Sequence, residues 1–326
     1  MKLITFEYRG SQRIGALIEE GNQAVDLLEG AMALKMEKAN NLSSMLTLIE
    51  SGATGLELAR EVVSNAPNSS IRNRDEIRLL APLPTPVSLR DCALIIEHLE
   101  NVKKLSAQKE AEQNPDVSLE ELLTLDRFRV PSIYYEKVMY YNSSRTTISG
   151  PEEDIEIPNY TEWLDFELEF SAVIGKRGKN ISRDCATDYI FGYTIFNDWS
   201  ARDEQMLVMA AGAGLGKGKD FDGSNGFGPC IVTADEIGDP YNLMMIARVN
   251  GEELTRGNTD TMHHKFEDAI AHLSRSQTLY PGEIIGSGTV LRGCGLEHDR
   301  KLNAGDVVEL EIEKIGVLRN RVVQSS

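Results

Sequence analysis

Three acids recur at every second position in WLDFELEF, residues 163–170: Asp165, Glu167 and Glu169, with Phe166, Leu168 and Phe170 between them. Alternate side chains of a β-strand point to opposite faces. The spacing therefore predicts a strand with three carboxylates on one side and apolar groups on the other. A half-buried strand with a solvated acidic face accounts for such alternation. So does a hard divalent cation, because Mg2+, Mn2+ and Ca2+ prefer carboxylate oxygens and two glutamates at i and i+2 can converge on one ion. The ion then offsets the repulsion that would otherwise raise their pKa values.

Other segments carry residues of matching chemistry. YIFGYTIFNDWSARDEQ runs from an apolar strand into Asn197, Asp198, Arg202 and Asp203. An abrupt polar cluster at the end of a buried strand is a common place for a site, although a lone Asp198 reads equally as a turn or cap. LRDCALIIEHLE supplies Asp91 and, seven residues later, His98. On its own His98, on one helical face with Ile95, Leu99 and Val102, reads as a packed core histidine. GLGKGKDFDGSNGFGP places Lys217 and Lys219 in a glycine-rich loop. It is no phosphate loop, because Ala213 and Asp220 stand where Gly and Ser or Thr are required.

These groups need elements to hold them. Residues 1–30 read as short strands and turns, and 31–65 as helices. The proline-rich LLAPLPTPVS reads as a linker, which sets a small β-rich domain at 1–80 and a larger domain at 81–326. After RDC the pattern turns helical. Residues 105–130, charged and weakly patterned, are expected to form a mobile lid. From 160 onward strands dominate, interrupted by a helix in HHKFEDAIAHLSR with Phe266, Ile270 and Leu273 on its apolar stripe. The fold class is α+β and β-dominated.

Composition narrows the function. A net charge of −17 over 326 residues argues against nucleic acid and anionic membrane as partners. Four widely spaced cysteines include no C-x-x-C pair, so neither a thiolate zinc site nor a disulfide framework is expected. No apolar run reaches the length of a membrane span and the start lacks a signal-peptide core, so a reducing cytoplasm is the expected location.

RDCALIIEH, LDFELEFSAVIG, FGYTIFNDWSARDEQ, GKDFDGSNGFGPCIVT, YPGEIIGSGTV and AGDVVELEIEKIG, in this order, together resemble the fumarylacetoacetate hydrolase family over roughly residues 80–320. The resemblance implies a mixed β-sandwich roll, a homodimer, and Mg2+ or Mn2+, with Ca2+ as a further candidate, held by Asp91, Glu167, Glu169 and Asp198. It implies Arg202 and Lys219 as balancing catalytic cations and His98 as the base. Glu309 orients the histidine, with Glu100 as a second candidate for that partner. Thr289, Gln205 and Tyr141, chosen over Tyr140, contact substrate or water. Asp165 is expected to be solvated or to stand behind the ligands.

The implied substrate is a small anionic 2-oxo or diketo acid, chelated through its carboxylate and keto oxygens. The leading reading is hydrolysis of a C–C bond in an acylpyruvate or β-diketo acid, with His98 activating water. A lyase or isomerase acting on a 2-oxo acid is the second reading. A metal-stabilised protein that binds without catalysis is the third. The departures from the family pattern, CALIIE after Asp91 and MLVMAAGAGLG after DEQ, point to a different environment for the distal end of the substrate.

Overall fold

The computed structural model describes residues 1–114 and 116–325. Its architecture is α+β, with two mixed sheets carrying most of the strands. The main sheet runs in the order Ile71–Asn73, Gln23–Asp26, Ser11–Ile18, Lys2–Tyr8, Asn225–Thr233, Ile190–Asp198, Leu168–Ile174, Ile284–Gly286, Leu89–Cys92 and Tyr140–Ser143. Neighbours on this path are antiparallel except Ile284–Gly286 and Leu89–Cys92, which are parallel. The second sheet orders Glu252–Asn258, Met244–Val249, Val307–Ile312, Gly316–Gln324 and Asp154–Ile157.

The central strands are buried on both faces. Every residue of Leu168–Ile174 and Ile190–Asp198 is buried, which explains near-continuous runs such as IFGYTIF. One core lies largely between the two sheets, with Phe170, Tyr193 and Phe266 in aromatic contact. The helix Phe266–Leu273 buries Phe266, Ala269, Ile270 and Leu273, the stripe read from its sequence. A second core joins the N-terminal helices to the opposite side of the main sheet through Leu42, Leu48, Val62, Phe196 and Phe227.

Three sequence expectations meet different geometry. The proline-rich stretch does not separate two sheets. Lys2–Tyr8 pairs with Asn225–Thr233, so residues 1–80 extend the sheet of the larger segment. Thr5 donates to the Pro82 carbonyl at 2.6 Å across the join. The expected lid is largely helical among its described residues. Ile96–Gln113, Leu119–Thr124 and the turn Asp126–Phe128 close on a small core of Ala107, Leu122 and Phe128. His98 does not share a buried stripe with Leu99 and Val102. The buried residues of its helix are Ile96, His98 and Ala107.

Because that small core is separate from the other two, the helical appendage is expected to open independently of the sheets. Leu122→Ala removes its central side chain, at a local cost of about 2–5 kcal/mol. Hydrogen exchange should accelerate in residues 107–128 and stay unchanged in 190–198. Equal acceleration in both segments would show the appendage to be part of the global cooperative unit.

Candidate active site

The opening acidic stretch is not one regular strand. Leu164–Asp165 pairs with Ser200–Ala201, and Leu168–Ile174 pairs with Ile190–Asp198. Phe166 and Glu167 span the break, where the Glu167 N–H donates to Asn197 Oδ1 at 3.0 Å and the Asp198 N–H to the Glu167 carbonyl at 3.2 Å. All three acids are buried, as are Phe166, Leu168 and Phe170. The acidic face is an interior one.

Asp165 is fully buried rather than solvated. It accepts from the Gly295 and Leu296 amides at 2.8 and 3.0 Å and from Arg202 Nε at 2.8 Å. It therefore anchors the 294–297 turn and one side of Arg202. The other side of that guanidinium meets Glu167 Oε1 and Gln205 Oε1 at 2.7 and 3.0 Å.

The sheet brings Asp91, Glu169 and Asp198 together from three separate strands, with one carboxylate oxygen of each within 4.8 Å of the others. Asp91 lies opposite Gly286, which lacks the side chain that would crowd this space. A Cβ there would stand 2.5 Å from Asp91 Oδ1 and 3.0 Å from Glu169 Oε2. Asp91 Oδ1 and Asp198 Oδ1 are buried with no hydrogen-bond partner. Buried orphan acceptors are costly, and a hard cation satisfies them. The donor set of carboxylate oxygens fits Mg2+, Mn2+ or Ca2+.

Around the triad the donors are sparse. Tyr141 Oη donates to Asp198 Oδ2 at 2.7 Å, the Gly288 amide to Glu169 Oε2 at 3.0 Å, and Thr289 Oγ1 lies 3.5 Å from Glu169 Oε1. Tyr140, on the other face of its strand, is exposed. Lys219 joins the triad to the fourth expected ligand, binding both Asp198 Oδ2 and Glu167 Oε2. Glu167 thus stands beside the triad, held between two cations. Lys217, the other lysine of the glycine-rich loop, instead bonds the Asp220 carbonyl at the surface.

The electrostatics separate these acids. Burial, reinforced by Asp198, pushes Asp91 up to about 7. Burial outweighs the Lys219 ammonium at Asp198 and raises it to about 6. Burial and Asp91 push Glu169 well above the usual range. At Glu167 burial acts in the same direction, but Arg202 and Lys219 outweigh it and hold the group below the ordinary carboxylate range.

His98 takes its carboxylate from Glu297, which sequence reasoning missed. His98 Nδ1 donates to Glu297 Oε2 at 2.8 Å, and Asn101 Nδ2 donates to Glu297 Oε1 at 2.8 Å. Burial tends to raise the Glu297 pKa, but the hydrogen bonds from His98 and Asn101 and the His98 charge together outweigh it and lower the group. Glu309, expected in this role, lies in the second sheet, 3.8 Å from Arg319. Glu100 is exposed and accepts from Tyr135. The only sequence signal for Glu297 was an acid in GCGLEH shortly after Thr289. The turn that aims it is set by Asp165, remote in sequence.

A buried cluster of carboxylates with orphan oxygens, of a donor set that suits a divalent cation, stands beside a histidine–carboxylate pair. Residues 106–323 match the profile described as fumarylacetoacetate (FAA) hydrolase C-terminal. That span includes Glu167, Glu169, Asp198, Lys219 and Glu297, whereas Asp91 and His98 precede it. The chain is 33% identical over 328 residues to the mitochondrial oxaloacetate tautomerase fahd2 of Xenopus laevis, covering 99% of this chain and 90% of that protein. It is 33% identical to the human mitochondrial oxaloacetate tautomerase FAHD2A, over 86% of this chain and 80% of that one. Among solved structures, fumarylacetoacetate hydrolase from Exiguobacterium antarcticum superposes with a TM-score of 0.73 at 29% identity, over the whole of both chains. The chain belongs to the fumarylacetoacetate hydrolase family. No helix among the described residues is long and apolar enough to cross a membrane.

Gly286→Ala should weaken binding of Mn2+ by about tenfold or more, because a Cβ displaces two ligand carboxylates. Titration calorimetry reads this, and unchanged affinity would place the cation elsewhere. The raised carboxyls also give a pH dependence. Asp91 and Asp198 have model-peptide values of 3.8 and folded values of about 7 and about 6. Between these limits the folded state binds more protons than the unfolded state. The stability they contribute is full below about pH 4 and is lost as pH rises through 6 to 7. Added Mg2+ should therefore raise the Tm more at about pH 8 than at about pH 5. An equal shift at both values would contradict the assignment.

Proposed function

We propose that the protein is a divalent-cation-dependent hydrolase cleaving a C–C bond in an acylpyruvate or related β-diketo acid. The observation that carries this reading is the buried His98–Glu297 pair beside the acidic cluster. Glu297 fixes the imidazole tautomer with the proton on Nδ1, which leaves Nε2 as a base. Held by Asp91, Glu169 and Asp198, a divalent cation would supply a Lewis acid for the carboxylate and keto oxygens of the substrate.

The chain's own groups do the rest. His98 Nε2 removes a proton from water, which adds to the distal carbonyl. Glu297 stabilises the imidazolium so formed. When the C–C bond breaks, the departing carbon takes that proton back, giving two acids. Lys219 and Arg202 balance the carboxylates and keep the pocket receptive to an anionic substrate. Thr289 and Tyr141 orient oxygens at the edge of the triad, and Gln205, fixed through Arg202, contacts the substrate. A cavity of about 420 Å³ opens beside this cluster, bordered by Tyr141, Ser144, Leu215, Lys219 and Asp220, with room for more than a four-carbon acid.

A second reading is keto–enol tautomerisation of a 2-oxo acid, favoured by the activity printed for the Xenopus and human relatives. It uses the same base to move a proton between carbon and oxygen, without attacking water. Either way the reading includes a homodimer and a reducing compartment, in keeping with four unpaired cysteines.

The test is turnover of acetylpyruvate, fumarylpyruvate, fumarylacetoacetate and oxaloacetate by Mg2+- or Mn2+-loaded protein, with products identified. Two acids from a diketo substrate are expected. Enol–keto exchange of oxaloacetate with the diketo acids untouched would select the second reading. Glu297→Gln should lower kcat by about 10²–10⁴-fold, whereas Glu309→Gln should change it less than about twofold. The reverse ranking would return the orienting role to Glu309.

A further inference from the structure

A second donor set of different chemistry lies beside the carboxylate triad. His98, Glu167 and Cys294 each offer a ligand atom, and the three atoms lie within 4.8 Å of one another in a buried space. A backbone bridge between Glu167 and Cys294 fixes two of them. Imidazole nitrogen, sulfur and one carboxylate suit Zn2+ and related thiophilic cations rather than Mg2+ or Ca2+. Glu297 completes a familiar arrangement. Its Oε2 accepts from His98 Nδ1, so the imidazole is oriented with its other nitrogen available to a metal.

Geometry and charge both permit occupancy. Bonds of about 2.0–2.3 Å place tetrahedral ligands about 3.3–3.8 Å apart. The present spacing therefore closes by side-chain movements of up to about 1.5 Å between any two ligand atoms. Six buried acids (Asp91, Asp165, Glu167, Glu169, Asp198 and Glu297) surround only two buried cations, Arg202 and Lys219. With all six ionised, one divalent ion leaves the cluster negative, with charge to spare for a second. Arg202 gives up Glu167 Oε1 and keeps Asp165. Cys294 is a neutral thiol 3.4 Å from Glu297 Oε2. Coordination replaces the thiol proton with metal and releases that proton to solvent.

We propose that His98, Cys294 and Glu167 form an inhibitory site for a thiophilic divalent cation such as Zn2+, adjacent to the all-oxygen site and open at its fourth position. Occupancy ties up His98, so turnover stops while the neighbouring triad stays filled. The site is independent of which reaction the protein catalyses. Only the inhibition rests on His98 acting as the base.

The experiment is a Co2+ titration of the full chain with the triad saturated by Mg2+, followed by absorption spectroscopy. A thiolate-to-cobalt charge-transfer band with tetrahedral visible absorption is expected in the wild type. It should be absent in Cys294→Ser, weakened in His98→Gln, and retained in Asp198→Ala. The His98→Gln variant keeps the test open should the buried cysteine not tolerate replacement. No band in the wild type, or a band that survives Cys294→Ser, overturns the site. Where turnover is measurable, Zn2+ should inhibit the wild type at concentrations at least about tenfold lower than Cys294→Ser. Equal inhibition of both would place the inhibitory zinc at the triad and overturn the proposal.

Discussion

Six carboxyl groups buried against two buried cations are the constraint on which the rest of this structure turns. Charge removed from water is costly unless it is paired and hydrogen-bonded. The chain meets that cost unevenly. Asp165 is fully engaged by two amides and Arg202, Glu167 is clamped between Arg202 and Lys219, and Glu297 is bound by His98 and Asn101. Asp91 and Asp198 retain orphan oxygens, and burial pushes both upward. The acids thus divide into three that the protein satisfies by itself or with its cations and three whose clustered oxygens suit a metal ion.

The topology explains how such a cluster forms from distant segments. Asp91, Glu169 and Asp198 come from three strands of one sheet, and Gly286, on the strand between those of Asp91 and Glu169, keeps the gap open. The buried Asp165 then carries the organisation outward. By holding the Gly295 and Leu296 amides it sets the turn that presents Cys294 and Glu297 to His98. The acid–base pair is therefore positioned by the same stretch, residues 163–170, that supplies three of the six buried acids.

Much of this was legible in the sequence, for identifiable reasons. Asp91, Glu169 and Asp198 sit in local patterns, an alternating acidic stretch and a polar cluster ending an apolar strand, and family resemblance tied those patterns together. The apolar stripe of the helix Phe266–Leu273 also emerged as read. What escaped depends on contacts far apart in the chain. Glu297 meets His98 across 199 residues of sequence, and nothing in GCGLEH alone aims it there. Asp165, expected to be solvated or to stand behind the ligands, takes the second place, because the strand break that alternation hides turns both faces inward. The proline-rich stretch looked like a linker because prolines exclude regular structure locally, while the pairing that crosses it joins residues 2 and 3 to residues 231 and 232.

The account stands or falls on whether the buried acids hold a divalent cation. The direct measurement is a crystal structure of Mn2+-soaked protein with anomalous data at the manganese edge. An anomalous peak bonded to Asp91, Glu169 and Asp198 is expected. A peak elsewhere, or none at saturating Mn2+ with the three carboxylates unmoved, would contradict it and leave the cluster as a buried acidic network without a metal.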